Sequence, residues 1–228
     1  LNNGVPAAFS EAMRAIRTNV LFSSAQEGSR SLVITSTGPN EGKSVVAANL
    51  AISLAQAGQR VLLIDADLRK PKVHVMFAAT QEPGLSNLLV GNARATEAVR
   101  KTGVPGLWIV AAGRIPPNPA ELIGSQRFRE FLASLHEHFD WVIVDSPPVM
   151  AVTDAALVAH QASGVLFVVG ADMTSRHAAK RAVEQLEQAH AGFVGAVLNR
   201  VDLAHNAYYY SQYYRREYSE YYQKDARA

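Results

Sequence analysis

Six apolar runs of strand length punctuate the chain, and helix-patterned stretches fill the intervals. The runs are S-L-V-I-T (Ser31 to Thr35), V-L-L-I-D (Val61 to Asp65), L-W-I-V (Leu107 to Val110), W-V-I-V-D (Trp141 to Asp145), G-V-L-F-V-V (Gly164 to Val169) and G-A-V-L-N (Gly195 to Asn199). They are continuous rather than alternating, so each predicts a strand covered on both faces. Helical patterns lie between them: Lys43 to Ala57 closed by Gly58, Ser125 to His138, and Ser175 to Ala191 closed by Gly192. Strand and helix alternate throughout, which predicts an α/β fold with a mostly parallel β-sheet and helices on both faces. Ahead of the first run, Ser10 to Phe22 predicts an extra helix with Ser10 as its N-cap and Ala12, Ile16 and Val20 on one face. No linker composition divides the chain, so one domain is expected over 1–207, with a leading helix in 1–24 and a tail over 208–228.

Composition narrows the class. With 48% hydrophobic and 18% charged residues in 228, the chain can bury a full core and is not of disordered type. The absence of cysteine excludes disulfides and thiolate metal sites, which suits a reducing compartment. The apolar runs fall far short of the ~18 residues a spanning helix needs. A formal charge of +2 is too small to point to nucleic acid. The chain begins at Leu1 with neither an initiator methionine nor a signal peptide, as expected of a piece cut from a longer one.

The first strand runs into T-S-T-G-P-N-E-G-K-S, Thr35 to Ser44, and then into a helix. A loop in that position aims consecutive backbone N–H groups and a helix N-terminus at one point, a site for phosphate oxygens. Gly38, Pro39, Asn40, Glu41, Gly42, Lys43, Ser44 and Val45 are therefore candidate nucleotide-binding residues. Lys43 would reach the outer phosphates and Ser44 would hold Mg²⁺. With no phosphate bound, the Lys43 ammonium is expected in solvent. The match to G-x-x-x-x-G-K-[ST] is imperfect, because Thr37 stands at the first glycine position and Gly38 follows one place late. Asn40, a type that tolerates left-handed backbone, accommodates such a loop.

Two further strands end in carboxylates: D-A-D-L-R supplies Asp65 and Asp67, and D-S-P-P supplies Asp145. A single aspartate after a strand is usually a turn or cap residue. Three of them, on strands whose carboxyl ends share one edge with the loop, can converge in a crevice. There they can hold Mg²⁺ with Ser44, or accept a proton, and Lys43, Asp65, Asp67 and Asp145 are the candidate catalytic set.

All eight tyrosines lie in the tail: Tyr208, Tyr209, Tyr210, Tyr213, Tyr214, Tyr218, Tyr221 and Tyr222. An amphipathic helix would explain the spacing of Tyr210, Tyr214, Tyr218 and Tyr222, yet a packed stripe does not require phenols on every side. Aromatic and basic residues together also suggest nucleic acid, but Glu217, Glu220 and Asp225 nearly cancel the tail's cations. Phosphoryl acceptance gives the phenols a role. With a pKa of about 10, each needs a positioned base and an electrophilic phosphoryl group. Asp65 or Asp67 is the candidate base, and Asp145 orients the metal.

The trio G-P-N-E-G-K-S, V-L-L-I-D-A-D-L-R-K-P and V-I-V-D-S-P-P resembles the cytoplasmic kinase domain of bacterial tyrosine kinases, the autokinases of capsular and extracellular polysaccharide export. G-L-S-N-L-L-V-G (Gly84 to Gly91), G-R-I-P-P-N-P-A-E-L-I (Gly113 to Ile123) and the tyrosine cluster extend the resemblance over essentially the whole chain. It implies a P-loop NTPase-like fold, ATP and Mg²⁺ as cofactors, and autophosphorylation of the tail tyrosines in cis or between protomers. It also places Asn199 near the adenine and Arg69 near the acidic set. E-A-M-R-A-I-R matches the family's E-x-x-R-x-x-R, which implies a homo-oligomeric ring, commonly of eight, through Glu11, Arg14 and Arg17. From spacing alone those charges read as a solvated helix flank. The resemblance further implies a transmembrane chain-length-determining activator, fused ahead or separate, a tyrosine phosphatase, and a place on the cytoplasmic face of the inner membrane. Two rivals remain: an inactive ATP-sensing subunit, and a partition- or division-site-type ATPase switch. Such switches carry a signature lysine where this chain has Gly38.

Overall fold

The computed structural model describes residues 7–23 and 30–202. Among the described residues seven strands form one sheet: β1 (Arg30–Ser36), β2 (Val61–Asp65), β3 (Val99–Lys101), β4 (Leu107–Val110), β5 (Trp141–Asp145), β6 (Gly164–Gly170) and β7 (Phe193–Asn199). Their order is β3-β4-β2-β5-β1-β6-β7. Every pairing is parallel except that of β3 with β4. The six strands expected from apolar runs are present. The short antiparallel edge strand β3 has no apolar run, and its residues are half-buried or exposed. β7 departs from the expected two-sided burial: it is an edge strand, with Phe193 40% and Leu198 63% exposed.

The continuous apolar runs feed two cores, one on each face. Leu32, Ile34, Leu63 and Ile143 point to a layer made by α1 (Ala7–Ser23), α2 (Lys43–Gln56) and α3 (Val73–Met76). Val33, Leu62, Ile64 and Val144 point to the opposite layer. That layer is built from α4 (Leu85–Leu89), α5 (Ala95–Ala98), α6 (Pro119–Ile123), α7 (Gln126–Leu135), α8 (Asp154–Gln161) and α9 (Arg176–Gln188). Each fully buried aliphatic side chain contributes about 1.5–3 kcal/mol, so the central strands carry most of the stability. Ser125 and Ser175 cap α7 and α9, their side chains accepting from Phe128 N and Ala178 N.

The leading helix starts at Ala7, so Ser10 lies inside its first turns rather than at the cap. Its buried face is Met13, Ile16 and Val20, and Ala12 is exposed. No helix among the described residues is long and apolar enough to cross a membrane.

Candidate active site

The loop between β1 and α2 turns on two left-handed residues. Asn40 has φ 65° and Gly42, the residue before α2, has φ 95°. Asparagine's short polar side chain tolerates that backbone, so Asn40 does not disturb the loop's course. Gly42 has a second constraint, because a Cβ there would collide with the amide of Asn199. Asn199 ends β7 and donates from Nδ2 to the Glu41 carbonyl at 2.8 Å. The Glu41 side chain is 3% exposed and accepts from Gly38 N at 2.6 Å and Gly170 N at 3.2 Å. The phosphate loop is thus moored from behind by the ends of β6 and β7. Sequence reasoning placed Glu41 among nucleotide-binding residues and Asn199 beside the adenine; in the structure the Glu41 carboxylate and the Asn199 amide both brace the loop.

Lys43 is not in solvent. Its Nζ lies 3.0 Å from Asp67 Oδ2, 3.3 Å from Ser44 Oγ and 3.7 Å from Asp145 Oδ1. Its side chain is 12% exposed. Three oxygens from the ends of β2 and β5 and the start of α2 therefore surround one cation. The expectation of a solvated lysine is corrected by attraction: burial works against the Lys43 charge, but Asp145, Asp67 and Asp65 together raise its pKa above the ordinary lysine value.

The three aspartates do different things. Asp65 is fully buried, its Oδ2 accepting from Lys72 N and Val73 N at 2.9 Å and its Oδ1 from Asp67 N at 3.2 Å. Both oxygens are committed to the turn after β2, so Asp65 shapes that turn and presents no free oxygen. Burial pushes it up to about 7, helped by the Asp145 charge and opposed by the N–H bonds from Val73 and Lys72. Asp67 Oδ1 accepts from Arg69 N and Lys70 N, and Oδ2 meets Lys43. Asp145 is fully buried and neither of its oxygens has a hydrogen-bond partner among the described residues. Burial raises it to about 6, with the Lys43 cation pulling the other way.

No group of three or more His, Cys, Asp or Glu among the described residues is arranged to hold a metal ion, and Asp65 is turned into its own loop. A smaller oxygen set does fit magnesium. Asp145 brings two unsatisfied buried oxygens to the place where Ser44 Oγ and Asp67 Oδ2 already surround a cation, and hard oxygens are what that ion takes.

A cavity of about 360 Å³ opens over this cluster. Pro39, Asn40, Gly42, Lys43, Ser44 and Val45 form its loop wall, and Asp67 is the one acid in its lining among the described residues. Lys70, Lys72, Met76, Pro148 and Arg200 complete it. Sequence reasoning assigned none of these five, although Lys70 lies inside the quoted D-A-D-L-R-K-P and Arg200 follows Asn199. Gly38, Glu41, Asn199, Asp65 and Asp145 lie behind the lining. A larger hollow of about 510 Å³ lies between Gly91–Glu97 and the α7 residues Arg127, Glu130 and Ser134, without a lysine–carboxylate cluster or phosphate loop. Arg69 donates an N–H to Asp67 and clamps Asp154, at the start of α8, through Nε at 3.0 Å and Nη2 at 3.1 Å. Sequence reasoning also missed Asp154, whose contact spans 85 residues.

On α1, Glu11 and Arg14 form an exposed pair at 2.8 Å. Arg17 instead reaches α2, donating to Ser53 O at 3.1 Å. The eight tail tyrosines lie outside the described residues.

A phosphate loop at the centre of a parallel sheet, backed by carboxylates at neighbouring strand ends, defines a nucleotide-binding domain of the P-loop class. Residues 32–223 match the family model described as the CobQ/CobB/MinD/ParA nucleotide binding domain. The sequence is 41% identical to the tyrosine-protein kinase YwqD of Bacillus subtilis (strain 168), over 88% of this chain and 84% of that one. The kinase domain of Escherichia coli tyrosine kinase ETK superposes with a TM-score of 0.83 at 37% identity, over 87% of this chain and 77% of that domain. The chain therefore belongs to the bacterial tyrosine-kinase family. It matches full-length Etk of E. coli (strain K12) at 38% identity but spans 26% of that protein's length. The septum site-determining protein MinD of Pyrococcus horikoshii, at 22% identity and TM-score 0.65, shares the fold alone.

Proposed function

We propose that this chain is an ATP-dependent protein-tyrosine autokinase that transfers the γ-phosphoryl group of Mg-ATP to its own tail tyrosines. The observation that carries this reading is the placement of Lys43 among Ser44, Asp67 and Asp145 at the floor of the loop cavity. The same residues that hold the lysine can receive a magnesium–phosphate group once Lys43 turns to the phosphates. Family membership and the confinement of all tyrosines after Ala207 support tyrosine as the acceptor.

The backbone N–H groups of the loop and the α2 N-terminus hold the phosphates. Ser44 and Asp145 would hold magnesium, which when bound offsets charge on the transferring group. Lys43, leaving Asp67 for the outer phosphate oxygens, does the same from the other side and frees Asp67 Oδ2. Asp67 then takes the proton of the incoming phenol as its oxygen bonds to the γ-phosphorus. The bond from that phosphorus to the ADP oxygen breaks, and ADP leaves with the electron pair. Most of the acceleration comes from position and electrostatics.

Eight residues separate Asn199 from Tyr208, a reach of at most about 30 Å. Arg200 stands on the cavity wall, so a tail of that reach can enter its own cavity or a neighbour's. The proposal includes a tyrosine-rich tail as a separate functional segment, a ring of eight protomers using Glu11, Arg14 and Arg17, a counteracting tyrosine phosphatase, and work in capsule or exopolysaccharide export at the cytoplasmic membrane face. Relatives come in two lengths, nearly matching this chain in YwqD and about three times as long in Etk. That contrast supports an activator region that is separate in some members and fused in others. The MinD-type switch is the lesser reading, since it leaves the tyrosines without a role.

The test is incubation with Mg-ATP followed by peptide mapping. Phosphotyrosine confined to the segment after Ala207, and lost in Asp67→Asn, is the expected result. Phosphate on serine or threonine alone, or none with an activator present, favours the switch.

A further inference from the structure

The cavity has two ends, set by strand order. The loop follows β1 mid-sheet, with β6 and β7 to one side and β5 and β2 to the other. Arg200 closes the β7 end. Pro148, after β5, and Lys70, Lys72 and Met76, after β2, form the other end beyond Asp67. An acceptor that delivers its proton to Asp67 arrives at this second end.

Its surface is unusual for water-facing protein. Met76 is 41% exposed and carries bare apolar surface at this end, against Pro148, which is largely buried but lines the cavity. A thioether and a proline ring suit an aromatic ring. Beside them, Lys70 and Lys72 have no ion-pair or side-chain hydrogen-bond partner among the described residues. Their backbones are pinned, Lys70 N to Asp67 and Lys72 N to Asp65, so two exposed lysine side chains start from fixed points at the rim.

The tail has a matching pattern. Tyr218 and Tyr221 each follow a glutamate, Glu217 and Glu220, whereas Tyr214 abuts Arg215. Tyrosines also sit side by side at 208–210, 213–214 and 221–222.

We propose that the β2 end of the cavity is an acceptor subsite in which Met76 and Pro148 take the phenol ring while Lys70 and Lys72 take an anion on the adjacent residue. The proposal rests on the autokinase reading. The anion is a glutamate carboxylate at first and a phosphotyrosine afterwards, which at about −1.5 to −2 is the stronger partner. Modification is therefore ordered. Tyr218 and Tyr221 go first, phosphotyrosine 221 then recruits Tyr222, and Tyr214 beside its arginines is slow.

The experiment uses the full chain with Mg-ATP, sampled over time, with occupancy of each tail tyrosine read by tandem mass spectrometry. Tyr218 and Tyr221 should lead Tyr214 by about two- to fivefold, the range that exposed ion pairs provide. In Glu217→Gln/Glu220→Gln the lead should vanish. In Lys70→Glu/Lys72→Glu the order should invert toward Tyr214, whatever the overall rate. A lead that survives the glutamine changes, or an order untouched by the lysine reversal, overturns the subsite and leaves the kinase standing. No phosphotyrosine in the unaltered chain, alone or with an activator, overturns both.

Discussion

Lys43→Met would remove the cation that sits within a buried acid cluster. The three side chains concerned are 12%, 6% and 0% exposed for Lys43, Asp67 and Asp145. Removing one partner of a buried pair costs about 3–5 kcal/mol, because the remaining charge is left uncompensated. The acids recover part of that by taking up protons. Asp145 and Asp65 already stand at about 6 and about 7, and loss of the Lys43 charge raises Asp145 further. Unfolded aspartate titrates at about 3.9, so the folded variant holds protons that the unfolded chain releases. That contribution is complete at low pH and is lost as pH rises through the folded values. The deficit should therefore be smallest near pH 5 and reach roughly 3 kcal/mol at pH 8. In a chain of this size that is a fall of about 6–12 °C in Tm. Urea unfolding at the two pH values measures it, with Lys43→Arg as the charge-retaining control. A methionine variant within about 0.5 kcal/mol of the unaltered chain at both pH values would show that Lys43 does not compensate the cluster.

Gly42→Ala forces a left-handed alanine against Asn199, and nucleotide affinity measured by calorimetry should fall tenfold or more, about 1.4 kcal/mol. Asn199→Ala deletes one bond to the loop carbonyl, so ATP binding should weaken about two- to tenfold, the worth of a single hydrogen bond, while Tm moves little. Asp154→Ala releases Arg69, which is 40% exposed and can rehydrate. A loss of about 1 kcal/mol in unfolding titrations is expected, with kcat for phosphoryl transfer falling more than the affinity for ATP. Eight phosphates of about −1.5 to −2 each would carry the chain from +2 to roughly −10 to −14. Phosphorylated protein should therefore sediment as smaller species than unphosphorylated protein. Arg14→Ala should yield monomers, whereas Arg17→Ala should in addition lower Tm by loosening α1 on α2.

The parallel core was readable because its strands are buried on both faces and leave continuous apolar runs. The loop was readable because backbone geometry demands a particular order of residue types, including Asn40 at φ 65°. What the sequence withheld is direction. It put Asp65, Asp67 and Asp145 on one edge, yet the turn that follows β2 rotates Asp65 onto Lys72 N and Val73 N and leaves Asp67 facing the cavity. A carboxylate that accepts backbone N–H groups and one that awaits a cation look alike in a string of letters. Glu41 shows the same limit: it sits within a phosphate-binding loop, but its carboxylate binds Gly170 of β6 behind that loop. β3 and the four- and five-residue helices α3 to α6 are too short to show a period, and they exist because long-range packing holds them.

The most direct test of the central claim is intact mass of the full chain before and after incubation with Mg-ATP, in parallel with Asp67→Asn. The account predicts a ladder of added phosphoryl groups that stops at eight, the number of tyrosines, and that collapses when all eight are phenylalanine. Asp67→Asn should still bind ATP yet stay at its starting mass. A ladder that persists in the phenylalanine chain, or in Asp67→Asn, would contradict the account.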